Sequence, residues 1–102
     1  MIPERERLLQ LARLIGIEAF TQRFGSPQTA VPDAAGLGAL IDERIDAIAD
    51  ALVGEAAASD DVTDQAGAQS FLEDRLRTLG DLLSKEQAER LRALFREKTT
   101  AW

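Results

Sequence analysis

The groups able to do chemistry in this chain are carboxylates, hydroxyls, lysines and arginines, because its 102 residues contain no His, no Cys and no Tyr. Without His no side chain has an ordinary pKa near 7, and without Cys there is neither a thiolate nucleophile nor a soft metal ligand. Ser26, Ser59, Ser70 and Ser84 have no imidazole to activate them, and Lys85 and Lys98 fall on one amphipathic segment. Paired carboxylates could serve as acid and base only in a cleft that drives their pKa values apart, and no such cleft is readable here. The spacing of the carboxylates is the sharper feature. Asp42, Asp46 and Asp50 recur at successive i,i+4 positions with Glu43 beside them. On a helix these form an acidic row that opposes the helix by a few tenths of a kcal/mol per pair. Such a row is ordinarily a solvated face, or it is neutralised internally by Arg90, Arg92 and Arg96. Its functional reading is an electrostatic docking surface for a basic partner.

The elements that must carry these groups are all helical. Pro3, followed by Glu4 and Glu6, suits a first helical turn, and the apolar positions continue to Phe24, where Gly25 closes the helix. The apolar face of this first helix is wide, and Gly16 in its interior marks a close crossing or a slight bend. Residues 25–35, with two prolines and a glycine, form a loop that ends on Asp33 as N-cap. A second helix follows to about Val53 on the seam Leu37, Ile41, Ile45, Ile48 and Leu52, with Gly54 as its stop and a polar loop beyond. The third helix is expected from Thr63 to Leu82. Ser84 with Gln87 then makes a capping box, which opens a fourth helix ending near Lys98. The expected fold class is all-α, a four-helix bundle-like single domain over residues 1–102 with the last two helices as an αα-hairpin.

Composition narrows the function classes. The net charge of −6 and pI near 4.6 disfavour nucleic-acid binding. Segments 26–58 and 59–83 hold the acid, while the two ends are mildly basic. No apolar run is long enough for a membrane span and no signal peptide is evident, so a cytoplasmic protein is expected.

Four short segments resemble known patterns. Asp60, Asp61 and Asp64, in DDVTD, are similar to the DDxxD motif with which prenyl-diphosphate enzymes hold magnesium, but 102 residues do not enclose those enzymes' helical cavity. Helix N-terminus chemistry accounts for these acids, and no metal or cofactor is expected. The stretch Leu83-Ser84-Lys85-Glu86-Gln87 with RLRALFREK resembles the LTxxQ segment of the small helical Spy/CpxP proteins, with Ser84 in place of Thr. That resemblance implies a helical chaperone or stress sensor. ARLIGIEAFTQRFG ahead of a proline is similar to the helix and turn before the DNA-binding part of Mor-type phage activators, and implies a small DNA-associated regulator. Leu79-Gly80-Asp81-Leu82-Leu83 also fits an LxxLL docking pattern, which core leucines ordinarily explain.

The reading these residues favour is a small acidic, non-enzymatic interaction or regulatory protein of bacterial or phage type. It is expected to bind a protein partner through Asp42, Glu43, Asp46 and Asp50. It is also expected to form a homodimer through Leu9, Ile17, Phe20 and Phe24 of the broad first helix. A DNA-associated regulator and a helical chaperone are the alternatives.

Overall fold

The computed structural model describes residues 4–102, so the first-turn role expected of Pro3 lies outside the described residues. Its helices are α1 (Glu4–Ile15), α2 (Ile17–Phe24), α3 (Ala34–Glu43), α4 (Ile45–Ala58), α5 (Gln65–Leu79) and α6 (Lys85–Lys98), with a 3-10 turn at Gly80–Leu82 and no strand among the described residues. The all-α class follows from the apolar stripes as expected. Four expected helices become six because two of them break.

The first break is at Gly16, whose φ of 110° and ψ of 117° lie outside the helical region and are open to glycine at little cost. It still donates to Ala12 O at 3.0 Å, and its own carbonyl accepts from Phe20 N at 3.0 Å, so α1 ends and α2 begins on one residue. The expected slight bend is therefore a full interruption. The second break, at Arg44, has no Gly or Pro to announce it. There the backbone turns at φ −113° and ψ 19°, and the guanidinium Nε donates to Ile15 O at 3.2 Å, an end carbonyl of α1. One arginine thus marks the end of α3 and satisfies an orphan acceptor at the end of α1.

Between the two breaks, α2, the 25–33 loop and α3 form an excursion from a bundle of α1, α4, α5 and α6. The most extensive packing is α4 on α6, where Ile48 and Leu52 on one helix and Leu91 and Phe95 on the other are fully buried. Each such side chain contributes about 1.5–3 kcal/mol relative to exposure. Helices α5 and α6 fold back on each other across the Gly80–Ser84 turn as the expected hairpin.

The polar ends of the helices follow the sequence closely. Asp33 accepts from Gly36 N at 3.0 Å, and Asp64 accepts from Gly67 N at 2.8 Å. Ser84 and Gln87 close a reciprocal capping box. Gly54, by contrast, does not stop α4. Glu55 through Ala58 are good helix formers and carry the helix on to Ala58, so the expected loop shrinks to residues 59–64. The third helix likewise starts at Gln65 and ends at Leu79, where Gly80 takes φ 52°.

Candidate interaction surface

The acidic row is divided by the Arg44 break, with Asp42 and Glu43 closing α3 and Asp46 and Asp50 on α4. All four are exposed, and three of them have partners within the chain. Glu43 takes both its oxygens to Arg23 Nη2, at 3.1 and 3.0 Å, joining α3 to α2. Asp50 Oδ1 lies 2.8 Å from Lys98 Nζ, and this hydrogen bond raises the lysine pKa above its ordinary value. Asp42 accepts from the neutral amide of Gln87 at 3.0 Å and so keeps an uncompensated charge. Asp46 has no side-chain hydrogen bond or ion pair among the described residues. Neutralisation therefore comes from Arg23 and Lys98 rather than from the expected Arg90, Arg92 and Arg96. Arg92 is turned instead to α5, where it holds Glu73 in a bidentate pair at 2.8 and 3.0 Å. Those hydrogen bonds hold the Glu73 carboxyl below its ordinary range, against an opposing effect of burial.

Gln87 is the side chain that ties the row to the bundle. Its Oε1 accepts from Ser84 N at 3.0 Å within the capping box, while its Nε2 donates to Gly38 O at 3.1 Å as well as to Asp42. A residue picked out only as a helix start also fixes α3 onto α6.

The four residues expected to pair two copies of the chain do not share one exposed face. Phe20 is fully buried and stacks edge-on to Phe24 at 5.2 Å, so it belongs to the interior of the protomer and is corrected as an interface residue. Leu9 and Phe24 are half-buried. Only Ile17, 46% exposed, stands out from the surface.

The aspartates of DDVTD are spread along a loop: Asp64 is spent on its cap, and Asp60 and Asp61 are exposed. No group of three or more potential ligands among the described residues could hold a metal ion. The LxxLL pattern resolves into core residues, with Leu79 and Leu83 buried, but Leu82 emerges beside a groove.

That groove is the feature the residue patterns missed. About 380 Å³ in volume, it runs between the start of α1, the 25–33 loop, the start of α3 and the 3-10 turn. Buried Leu8, Ala30 and Leu37 line it, with Val31, Pro32 and Leu82 beside them and Glu4 and Arg5 as its charged members. Val31 is 88% exposed, the most exposed large apolar residue among those described. Slack in the loop does not account for this. Arg5 Nη1 donates to Pro27 O at 3.0 Å and Ala30 O at 2.8 Å, and Ser26 O accepts from Ala30 N at 2.7 Å. The available signal was a valine set between Ala30 and Pro32 in an otherwise small and polar loop, since a residue before proline is held extended. No helix among the described residues is long and apolar enough to cross a membrane. Comparison of the chain with models of protein families, with curated proteins and with solved structures found no match to any of them.

Proposed function

We propose that this is a non-enzymatic protein-interaction domain that docks a protein partner in the groove beneath Val31, with the α3–α4 carboxylates steering a basic surface toward it. The observation that carries this reading is the braced valine. A cationic side chain is committed to two backbone carbonyls, and the result is an apolar side chain held out over an apolar cleft. An anchor fixed before binding loses less conformational entropy on association, which is the property that favours docking. Asp42 and Asp46 supply the electrostatic component, one bound to a neutral amide and the other without a side-chain partner among the described residues. Charges of this kind change association rate and salt dependence more than affinity.

The test is a photo-reactive residue placed at position 31, 46 or 13 of the full chain in its native host. Adducts to one and the same protein are expected from positions 31 and 46 and not from the exposed α1 position 13. With that protein purified, reversal of Asp42, Asp46 and Asp50 to Lys should weaken binding steeply at low salt and little at high salt. Equal labelling from all three positions, or none from position 31, overturns the reading. Salt-dependent retention of the chain on duplex DNA, with no protein adduct, would support a DNA-associated regulator in its place.

A further inference from the structure

We infer that residues 17–43 turn as one body on the junction of Gly16 and Arg44, so that the groove is the mouth of a hinged jaw. The motion rests on the packing alone, and its use in docking rests on the function proposed above. The chain leaves the bundle at Gly16 and returns at Arg44, and these two points lie together. Arg44 Nε donates to Ile15 O at 3.2 Å, and its Nη2 lies 3.5 Å from where a side chain on Gly16 would begin. Both residues are helix breaks, with α1 and α3 ending and α2 and α4 beginning at them. A segment with both connections at one point needs backbone change at only those residues to turn, which is how hinged bodies move.

The excursion has ties of its own. Arg23 joins α2 to α3 through Glu43, and the Phe24 ring of α2 lies 3.3 Å from the place of a Cβ on Gly36, in the first turn of α3. The principal packing of α2 is on α1 and that of α3 is on α4, each its neighbour across the junction. Away from the junction, two bundle side chains hydrogen-bond to the excursion among the described residues. Arg5 holds Pro27 O and Ala30 O, and Gln87 holds Gly38 O and Asp42. The groove lies along this seam, with Val31, Pro32 and Leu37 on the excursion side and Leu8 and Leu82 on the bundle side. Turning about Gly16 and Arg44 therefore changes its width, and Arg5 and Gln87 are the clasps that hold it closed. A partner touching both walls binds the closed state better and shifts the population toward it.

Because the chain has no Cys, introduced cysteine pairs can carry spin labels, and pulsed electron paramagnetic resonance reads the distances between them. Ala35→Cys with Asp81→Cys spans the jaw. Ala35→Cys with Gln22→Cys lies within the excursion and Arg13→Cys with Asp81→Cys within the bundle, all at exposed positions. The jaw-spanning pair is expected to show a second, longer distance as a minor fraction. Gln87→Ala should raise that fraction about fivefold or more, and Arg5→Ala combined with it further still. The other two pairs should keep single, unchanged distances. No longer distance in the double variant overturns the inference. Broadening of the 22–35 pair alongside the 35–81 pair also overturns it, because the excursion then melts rather than turns. The photo-labelling separates docking from this motion: a jaw that opens while position 31 captures no protein leaves the hinge standing and removes docking, and a fixed jaw with a captured protein does the reverse.

Discussion

Replacing Gln87 by Ala should cost far more than the loss of a helix cap. The side chain is 8% exposed and makes three hydrogen bonds: it accepts from Ser84 N, and it donates to Gly38 O and to Asp42. Loss of the capping interaction alone is worth about 1 kcal/mol. Each tie to α3 adds about 0.5–1.5 kcal/mol, and Gly38 O loses its side-chain donor. The expected destabilisation is about 2–4 kcal/mol, a large part of the 5–15 kcal/mol typical of a whole domain. For a chain of this size that lowers Tm by roughly 10–30 °C. Ser84→Ala, which removes the cap but leaves both ties to α3, is the internal control and should cost about 1 kcal/mol. Urea unfolding followed by far-ultraviolet circular dichroism measures both, and a double-mutant cycle of Gln87→Ala with Asp42→Ala should return a coupling of about 0.5–1.5 kcal/mol. Gln87→Glu sharpens the cycle. It keeps the acceptor for Ser84 N but sets a second carboxylate against Asp42, so its deficit should grow as pH rises and shrink on acidification. If Gln87→Ala costs no more than Ser84→Ala and shows no coupling to Asp42, the residue is a cap only, and the account of how α3 is fixed to α6 is wrong.

Two further expectations concern the breaks and the ion pairs. Gly16→Ala puts a side chain at φ 110° and should destabilise the fold by about 1–2 kcal/mol, with Arg44→Ala costing less than its usual amount in that background because both residues build one junction; strictly additive effects in denaturant melts would separate the two. The Glu73 carboxyl has its folded pKa depressed by Arg92, so its contribution is present above the unfolded value and lost as pH falls through the folded one. Both partners are more than a third exposed, at 43% and 41%, which keeps the effect below about 1 kcal/mol. Glu73→Gln should therefore flatten the stability–pH curve only on its acid side, below about pH 4.5, and a change at neutral pH larger than that bound would contradict the assignment.

What was legible in the sequence, and what was not, divides by the range of the interaction. The apolar seam Leu37, Ile41, Ile45, Ile48 and Leu52 is buried throughout, and Asp33 and Ser84 cap the helices they precede, because stripes and caps are written within a few residues. The Arg44 break has no such local mark. Its side-chain acceptor is Ile15 O, 29 residues away, and only the folded chain brings the two together. Gly54 misled in the opposite sense, since a glycine with helix formers after it is a cost and not a stop. The acidic row shows the consequence for function. Its i,i+4 spacing argues for one face only if the helix is unbroken, and the break divides Asp42 and Glu43 from Asp46 and Asp50. The groove was harder still, being assembled from α1, the 25–33 loop, α3 and the 3-10 turn.

In a chain without His, Cys or Tyr, several long polar side chains position the excursion. Arg5 reaches across 22 and 25 residues to the loop, Arg23 across 20 to Glu43, Arg44 across 29 to Ile15, and Gln87 across 49 to Gly38. Each tie spans more than one helix and ends on the α2–loop–α3 excursion or on the junction from which it leaves the bundle. Buried Phe20, Leu37, Leu40 and Ile41 hold the same segment from below, so its helices need the polar contacts for registration more than for attachment. Registration matters most where a side chain must stand at a fixed place outside the core. Val31 is that side chain, and the arginine that fixes the loop beside it makes the first long-range tie among the described residues. Loosening any of the other ties should therefore move affinity at the groove before it unfolds the bundle, and the order of those two losses is the measurable consequence of building a docking surface on a braced excursion.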